Sequence, residues 1–96
     1  MAEERLVKTI DELRQRIDEI DEQLVGLLSA RARCALAIGQ HKKAAGMELY
    51  QPEREAEVLT HVQSVNRGPL DNHAMKRLFE RVIDEARRLE RLADVQ

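Results

Sequence analysis

Large aromatic side chains are almost missing from this 96-residue chain, which has no Trp, one Phe (Phe79) and one Tyr (Tyr50). A chain this short forms one domain with a modest core, and the lack of rings makes that core more modest still. Breakers are also scarce: two Pro and four Gly interrupt a background of Ala, Leu, Glu and Arg. Because the apolar residues recur periodically, this composition reads as all-α and not as disorder. A single cysteine, Cys34, excludes an internal disulfide and fits a reducing compartment, so the cytoplasm is expected. No long apolar run follows the charged N-terminus, so neither a signal peptide nor a membrane span is expected. Neither sign of charge dominates: 16 Lys plus Arg stand against 18 Asp plus Glu, interspersed, for a net −2. Without a basic stripe, nucleic-acid binding is not expected. His41, His61 and His73 are scattered without metal-ligand spacing, so no metal is expected. The Ser/His/Asp or Cys/His sets of nucleophilic catalysis and the Gly-rich phosphate loop are missing too.

What is present is a long apolar seam. Leu6, Ile10, Leu13, Ile17, Ile20, Leu24 and Leu27 follow one another at alternating steps of four and three. This predicts one amphipathic helix over about 6–45. The next seam positions hold Arg31, Cys34, Ile38 and Lys42. Cys34 is expected there as a small buried hydrophobe. A cation in a buried seam loses several kcal/mol or more of hydration and needs an anionic partner. Two such cations in one seam suggest that the partner is a ligand, although snorkelling or a Glu on another helix would satisfy either one alone. Gly46 is expected to cap the helix at its C-terminus. Gly26 and Gly39 fall inside it; Gly39 is either merely tolerated or marks the close approach of backbone or ligand.

Forty residues of helix extend about 60 Å, whereas a compact chain of this size is about 30 Å across. The stripe along the overhang would be a large exposed apolar patch. A two-fold homodimer of intertwined helices covers it. After a short connection, Pro52 suits the first turn of a second helix, about 52–66, with Val58, Leu59, Val62 and Val65 on its apolar face. Arg67-Gly68-Pro69 breaks it. Asp71 or Asn72 can cap a third helix, about 72–93, with a core stripe of Met75, Leu78, Phe79, Val82, Ile83, Ala86, Leu89 and Ala93. Ionisable residues on or beside the inward faces are Arg14, Arg31, Lys42, Arg54, Glu55 and Glu90. Four cations and two carboxylates make a cationic pocket suited to a small dicarboxylate, since a guanidinium fork matches a carboxylate. Taken singly, Arg14, Arg54, Glu55 and Glu90 read as solvated helix charges; their joint placement carries the functional reading.

The order and spacing of several segments resemble the all-helical chorismate mutases of the shikimate pathway. These are Leu13-Arg14-Gln15-Arg16-Ile17-Asp18-Glu19-Ile20-Asp21, Leu27-Leu28-Ser29-Ala30-Arg31, Ile38-Gly39-Gln40-His41-Lys42, Pro52-Glu53-Arg54-Glu55 and Leu78-Phe79. The resemblance implies a concerted [3,3] rearrangement of chorismate to prephenate, with no cofactor and no covalent intermediate. It implies that Arg14 crosses the dimer into the partner's pocket while Arg31 holds a carboxylate in its own subunit. Lys42 and Glu90 would donate to the ether oxygen, and Arg54 would support the carboxylate site. Glu55 would accept from the ring hydroxyl, and Gln51 would offer it a backbone N–H. Three positions depart from the pattern: Glu90 is often Gln, Ala86 often Ser, and Gln51 often Asp. An acid at 90 donates only while protonated, which predicts that burial keeps the Glu90 carboxyl neutral against the opposition of Lys42. The rivals are isochorismate pyruvate lyase on the same plan and a non-catalytic regulatory dimer of an aromatic-pathway enzyme. Relatives are fused to or complexed with such enzymes; these 96 residues are expected to leave no room for a fused one.

Overall fold

In the computed structural model, the backbone is described for residues 2–94 and the side chains for residues 9–94. Leu6, the first residue of the seam, lies outside the described side chains. Three helices follow in order: α1 (Ala2–Ala44), α2 (Pro52–Val65) and α3 (Asn72–Asp94). The chain divides into two compact units, Met1–Arg31 and Ala32–Gln96, with the division inside α1.

The first unit is a stretch of α1 alone. Its seam residues Ile10, Leu13, Ile17, Ile20, Leu24 and Leu27 are all exposed in the single chain, Leu27 by 67%. In the second unit, Cys34 and Ile38 continue that exposed line. Cys34 therefore differs from the expectation of a buried thiol: nothing among the described residues covers the seam where it sits.

The end of α1 follows from local chemistry. His41, Lys42 and Lys43 in the last turn complement the negative end of the helix dipole. Gly46 takes φ +71°, the left-handed conformation. The Met47 N–H donates to the Lys42 carbonyl at 2.8 Å and the Gly46 N–H to the Lys43 carbonyl at 3.2 Å. This paired closure is a Schellman turn, with Gly46 at the position that favours glycine.

Pro52 begins α2, where its missing N–H costs nothing, and Glu53 and Glu55 occupy the first turn. Beyond α2, Asn66 organises the connection. Its Nδ2 donates to the Leu70 carbonyl at 2.8 Å and to Asn72 Oδ1 at 3.0 Å, and its Oδ1 accepts from the Gly68 N–H at 3.1 Å. Of the two candidate caps for α3, Asp71 takes the role: Asp71 Oδ1 accepts from the Ala74 N–H at 2.7 Å.

Helix α2 packs against α3, and the core of this unit centres on Val62 (9% exposed) and Ile83 (8% exposed). Val58, Leu59, Met75, Phe79, Val82 and Ala86 surround them half-buried. Val65, Leu78, Leu89 and Ala93, expected on the same inward faces, are exposed. The fourteen residues of α2 are too few to roof the whole stripe of the 23-residue α3. Among the described residues no helix is long and apolar enough to cross a membrane. Truncating Ile83 to Ala removes the centre of this packing, and we expect a loss of about 2–5 kcal/mol. A urea titration checks it; an unmoved midpoint would show that the α2–α3 contact contributes little.

Candidate active site

Most of the residues marked by the sequence as functional lie in the second unit. The end of α1 supplies Lys42, the connection supplies Gln51, the start of α2 supplies Arg54 and Glu55, and α3 supplies Ala86 and Glu90. Glu90 is the centre. Its half-buried carboxyl titrates above the ordinary carboxylate range because burial strips water from the charged form. The Lys42 cation opposes this shift and the negative charge of Glu55 reinforces it. Lys42, Glu55 and Glu90, drawn from three helices, therefore sense one another. No ion pair among the described residues joins Lys42 to Glu90. Instead the Lys42 ammonium donates to the Leu49 carbonyl at 3.4 Å, a long and weak hydrogen bond.

Buried Gly39 faces Glu90. A Cβ built at position 39 would lie 3.6 Å from Glu90 Cγ and 3.7 Å from Cδ and Oε2. What approaches this glycine closely is thus the side chain of Glu90. Two cavities flank that side chain. One of about 130 Å³ is lined by Gly39, Leu49 and Glu90, and by Lys43 and Asp94, whose Nζ and Oδ1 pair at 3.0 Å. The other, of about 270 Å³, is lined by Leu49, Tyr50, Arg87, Glu90 and Arg91. Leu49 and Glu90 border both.

Glu55 and Arg54 part company. Glu55 turns inward, its side chain 24% exposed, and its Oε1 accepts from Arg87 Nη2 at 3.1 Å. Arg54 points outward, 69% exposed, and pairs along its own helix with Glu57 at 3.2 Å; the structure does not bring it to Glu90. Successive helical residues are rotated by about 100°, so two neighbours cannot share one narrow face. Gln51 stands half-buried just before α2 without a side-chain cap bond, and its carbonyl accepts from the Glu55 N–H at 3.2 Å. Ala86 is half-buried on α3. Arg14 and Arg31 belong to the first unit. Arg14 is exposed and Arg31 half-buried, and neither forms an ion pair among the described residues.

Sequence reasoning did not single out Arg87 as a member of this group. Its guanidinium carbon lies 5.4 Å from the centroid of the Tyr50 ring, within cation–π range. Among the described residues no group of three or more His, Cys, Asp or Glu is gathered to hold a metal ion.

A half-buried carboxyl that borders two cavities, with its charged form disfavoured by burial and an ammonium near enough to oppose that shift, is the chemical core of the site. The family model described as chorismate mutase type II matches residues 13–91. This chain belongs to that family. Among solved structures, the chorismate mutase (Form II) from Thermus thermophilus is similar, with a TM-score of 0.83 and 30% identity over 85% of this chain and 93% of that one. Among curated proteins, the bifunctional chorismate mutase/prephenate dehydratase of Stutzerimonas stutzeri is 46% identical over 83 residues, covering 81% of this chain and 23% of that protein. The protein of the same description from Neisseria gonorrhoeae is 43% identical over 88 residues, covering 88% of this chain and 24% of that protein. The chain thus spans about a quarter of the length of the curated relatives it matches. As a chorismate mutase domain it is an isomerase of aromatic amino acid biosynthesis, on the three-helix plan that its periodicity announced.

Glu90 makes the stability of this chorismate mutase domain depend on pH with a definite sign. With a folded-state pKa above the unfolded one, its contribution is fully present below the ordinary carboxylate value and is lost as pH rises through the folded value. Glu90→Gln stays neutral throughout. Its stability relative to wild type should therefore climb as pH rises from the ordinary carboxylate value, about 4.3, through the raised folded value, as read from urea midpoints. A difference that stays constant with pH would show that the Glu90 carboxyl is solvated like any other.

Proposed function

We propose that the domain, taken as one unit over residues 1–96, rearranges chorismate to prephenate in a pocket of a helical homodimer. The reading rests chiefly on Glu90, which is held toward its neutral form by burial and faces Lys42. In a [3,3] shift the ether C–O bond breaks as the new C–C bond forms, and negative charge gathers on the ether oxygen. A neutral carboxyl and an ammonium can both donate to that oxygen, and fixed donors aimed at developing charge are usually the largest contribution to such catalysis. Arg31, with Arg14 from the partner subunit, would grip the two carboxylates and hold the reactive diaxial conformer. Arg54 would join them by leaving Glu57, because an exposed pair of that kind contributes about 0–1 kcal/mol and exchanges readily. Glu55 would accept from the ring hydroxyl and the Gln51 N–H would donate to it; Ala86 would leave that edge of the pocket without a hydroxyl contact. No cofactor enters the scheme. The exposed seam of α1 supports the homodimer, since apolar stripes of this length are covered in working proteins. We place the domain in the cytoplasm, with an aromatic-pathway enzyme as a candidate partner.

Absorbance assays of chorismate loss test the chemistry. Wild-type activity should fall as pH rises through the Glu90 titration, and Glu90→Gln should flatten that profile. Lys42→Ala should lower kcat by about 10²–10³-fold. An unchanged profile in the Gln variant would remove Glu90 from the reaction. Parallel incubation with isochorismate, watching for pyruvate, would expose a lyase instead.

A mixing experiment tests the shared pocket. In heterodimers of Arg14→Ala and Lys42→Ala subunits, a crossing Arg14 leaves one intact pocket per dimer. Random mixing should then restore about a quarter of the wild-type sites. An Arg14 acting within its own subunit would leave every mixed pocket damaged, and the mixture would be no more active than its parents.

A further inference from the structure

The two carboxyl groups that face this site are asked for opposite services: Glu90 must donate a hydrogen bond and Glu55 must accept one. Carboxyl groups that sense each other electrostatically compete for protons, and an environment has to break the tie. Of the groups lying around them, Lys42 comes from α1, Tyr50 from the connection, and Arg87 and Arg91 from α3. Arg87 alone among these contacts Glu55, with Nη2 3.1 Å from Oε1. The same Nη2 also donates to Asp84 Oδ1, one turn back on α3, at 3.0 Å, and the guanidinium faces Tyr50. Braced from two sides, Arg87 has little freedom to leave Glu55. Its Nε is buried and finds no partner among the described residues, so the side chain forgoes a hydrogen bond there to keep this pose. The ion pairs of Arg54, Arg81 and Arg88 each run along one helix; Arg87 to Glu55 crosses from α3 to α2.

We propose that Arg87 is a positioning residue that divides the labour between the two carboxyl groups, clamping Glu55 through one oxygen as the acceptor and leaving Glu90 as the donor. This rests on the mutase reading above. Glu55 Oε1 is engaged by Arg87, and Oε2, which makes no hydrogen bond among the described residues, is left to receive the ring hydroxyl of the substrate. Arg87 itself touches no reacting atom; it acts through Glu55.

The test compares chorismate turnover by wild type, Arg87→Ala, Arg87→Lys, Glu55→Gln and the Arg87→Ala/Glu55→Gln double variant, with thermal melts of each. Arg87→Ala should lose about 10- to 100-fold in kcat/KM, the range for a charge-assisted hydrogen bond. Arg87→Lys, which keeps a cation within reach of Glu55, should recover most of it. In the Glu55→Gln background, removing Arg87 should cost less than about threefold, because the two residues act as one unit. An active wild type whose Arg87→Ala variant keeps full kcat/KM sinks this inference alone. So do additive losses in the double variant, or a Lys variant as impaired as Ala with both losses tracking the melting midpoint. A wild-type chain that does not consume chorismate sinks the mutase reading and this inference with it.

Discussion

The carboxyl of Glu90 is pulled in opposite directions, and the chemistry of the site depends on which pull wins. Burial favours the neutral acid, while Lys42 favours the anion. Had the ammonium closed on the carboxylate, the carboxyl would be held as an anion that can accept a hydrogen bond but not donate one. No ion pair among the described residues joins them: the ammonium lies 3.4 Å from the Leu49 carbonyl, and the Glu90 stem rests beside the bare backbone of Gly39. Desolvation therefore outweighs Coulomb attraction, and the Glu90 carboxyl is shifted toward its neutral form.

That balance rests on turns that carry no chemistry of their own. The left-handed Gly46 closes the last turn of α1 on the carbonyls of Lys42 and Lys43. The chain then reverses within a few residues, so that Leu49 comes back to meet the Lys42 side chain and to wall both cavities. Pro52 starts α2 immediately afterwards and sets Glu55 one turn into it. On the far side, Asn66 and Asp71 fix the connection into α3. With both ends pinned, Glu55 and Arg87 meet although 32 positions separate them in sequence.

Periodicity makes the helices legible, because spacing along one chain is all that a helix boundary or an apolar face requires. Caps are legible for the same reason: Gly46, Pro52 and Asp71 act within a turn of where they sit. Partnerships across helices are not. Arg87 has Asp84 and Glu90 at helical spacing on its own helix, so a local reading assigns it to the surface, while its bond to Glu55 depends on how α2 packs on α3. Arg54 and Glu55 each lie near the extension of the Val58 face, so the pattern alone turns both inward. The rotation per residue admits one of them, and the longer-stemmed guanidinium found an exposed partner at Glu57.

The long seam reverses the usual order of burial. Arg31 and Lys42 are half-buried, while Leu13, Leu24, Leu27 and Ile38 on the same seam stand in water. Leucines exposed alone are commonplace, but a continuous seam of them beside better-covered cations is not. Burying such a side chain contributes about 1.5–3 kcal/mol. Covering the stripe with a second copy would therefore recover far more than the ordering of a few surface side chains costs. A second copy also supplies the same seam in two-fold relation, which matches apolar positions to apolar positions without any new sequence. On the proposed homodimer reading, the leucines would hold two helices together, and the cations would interrupt them where a dianion, and not another leucine, is to be enclosed.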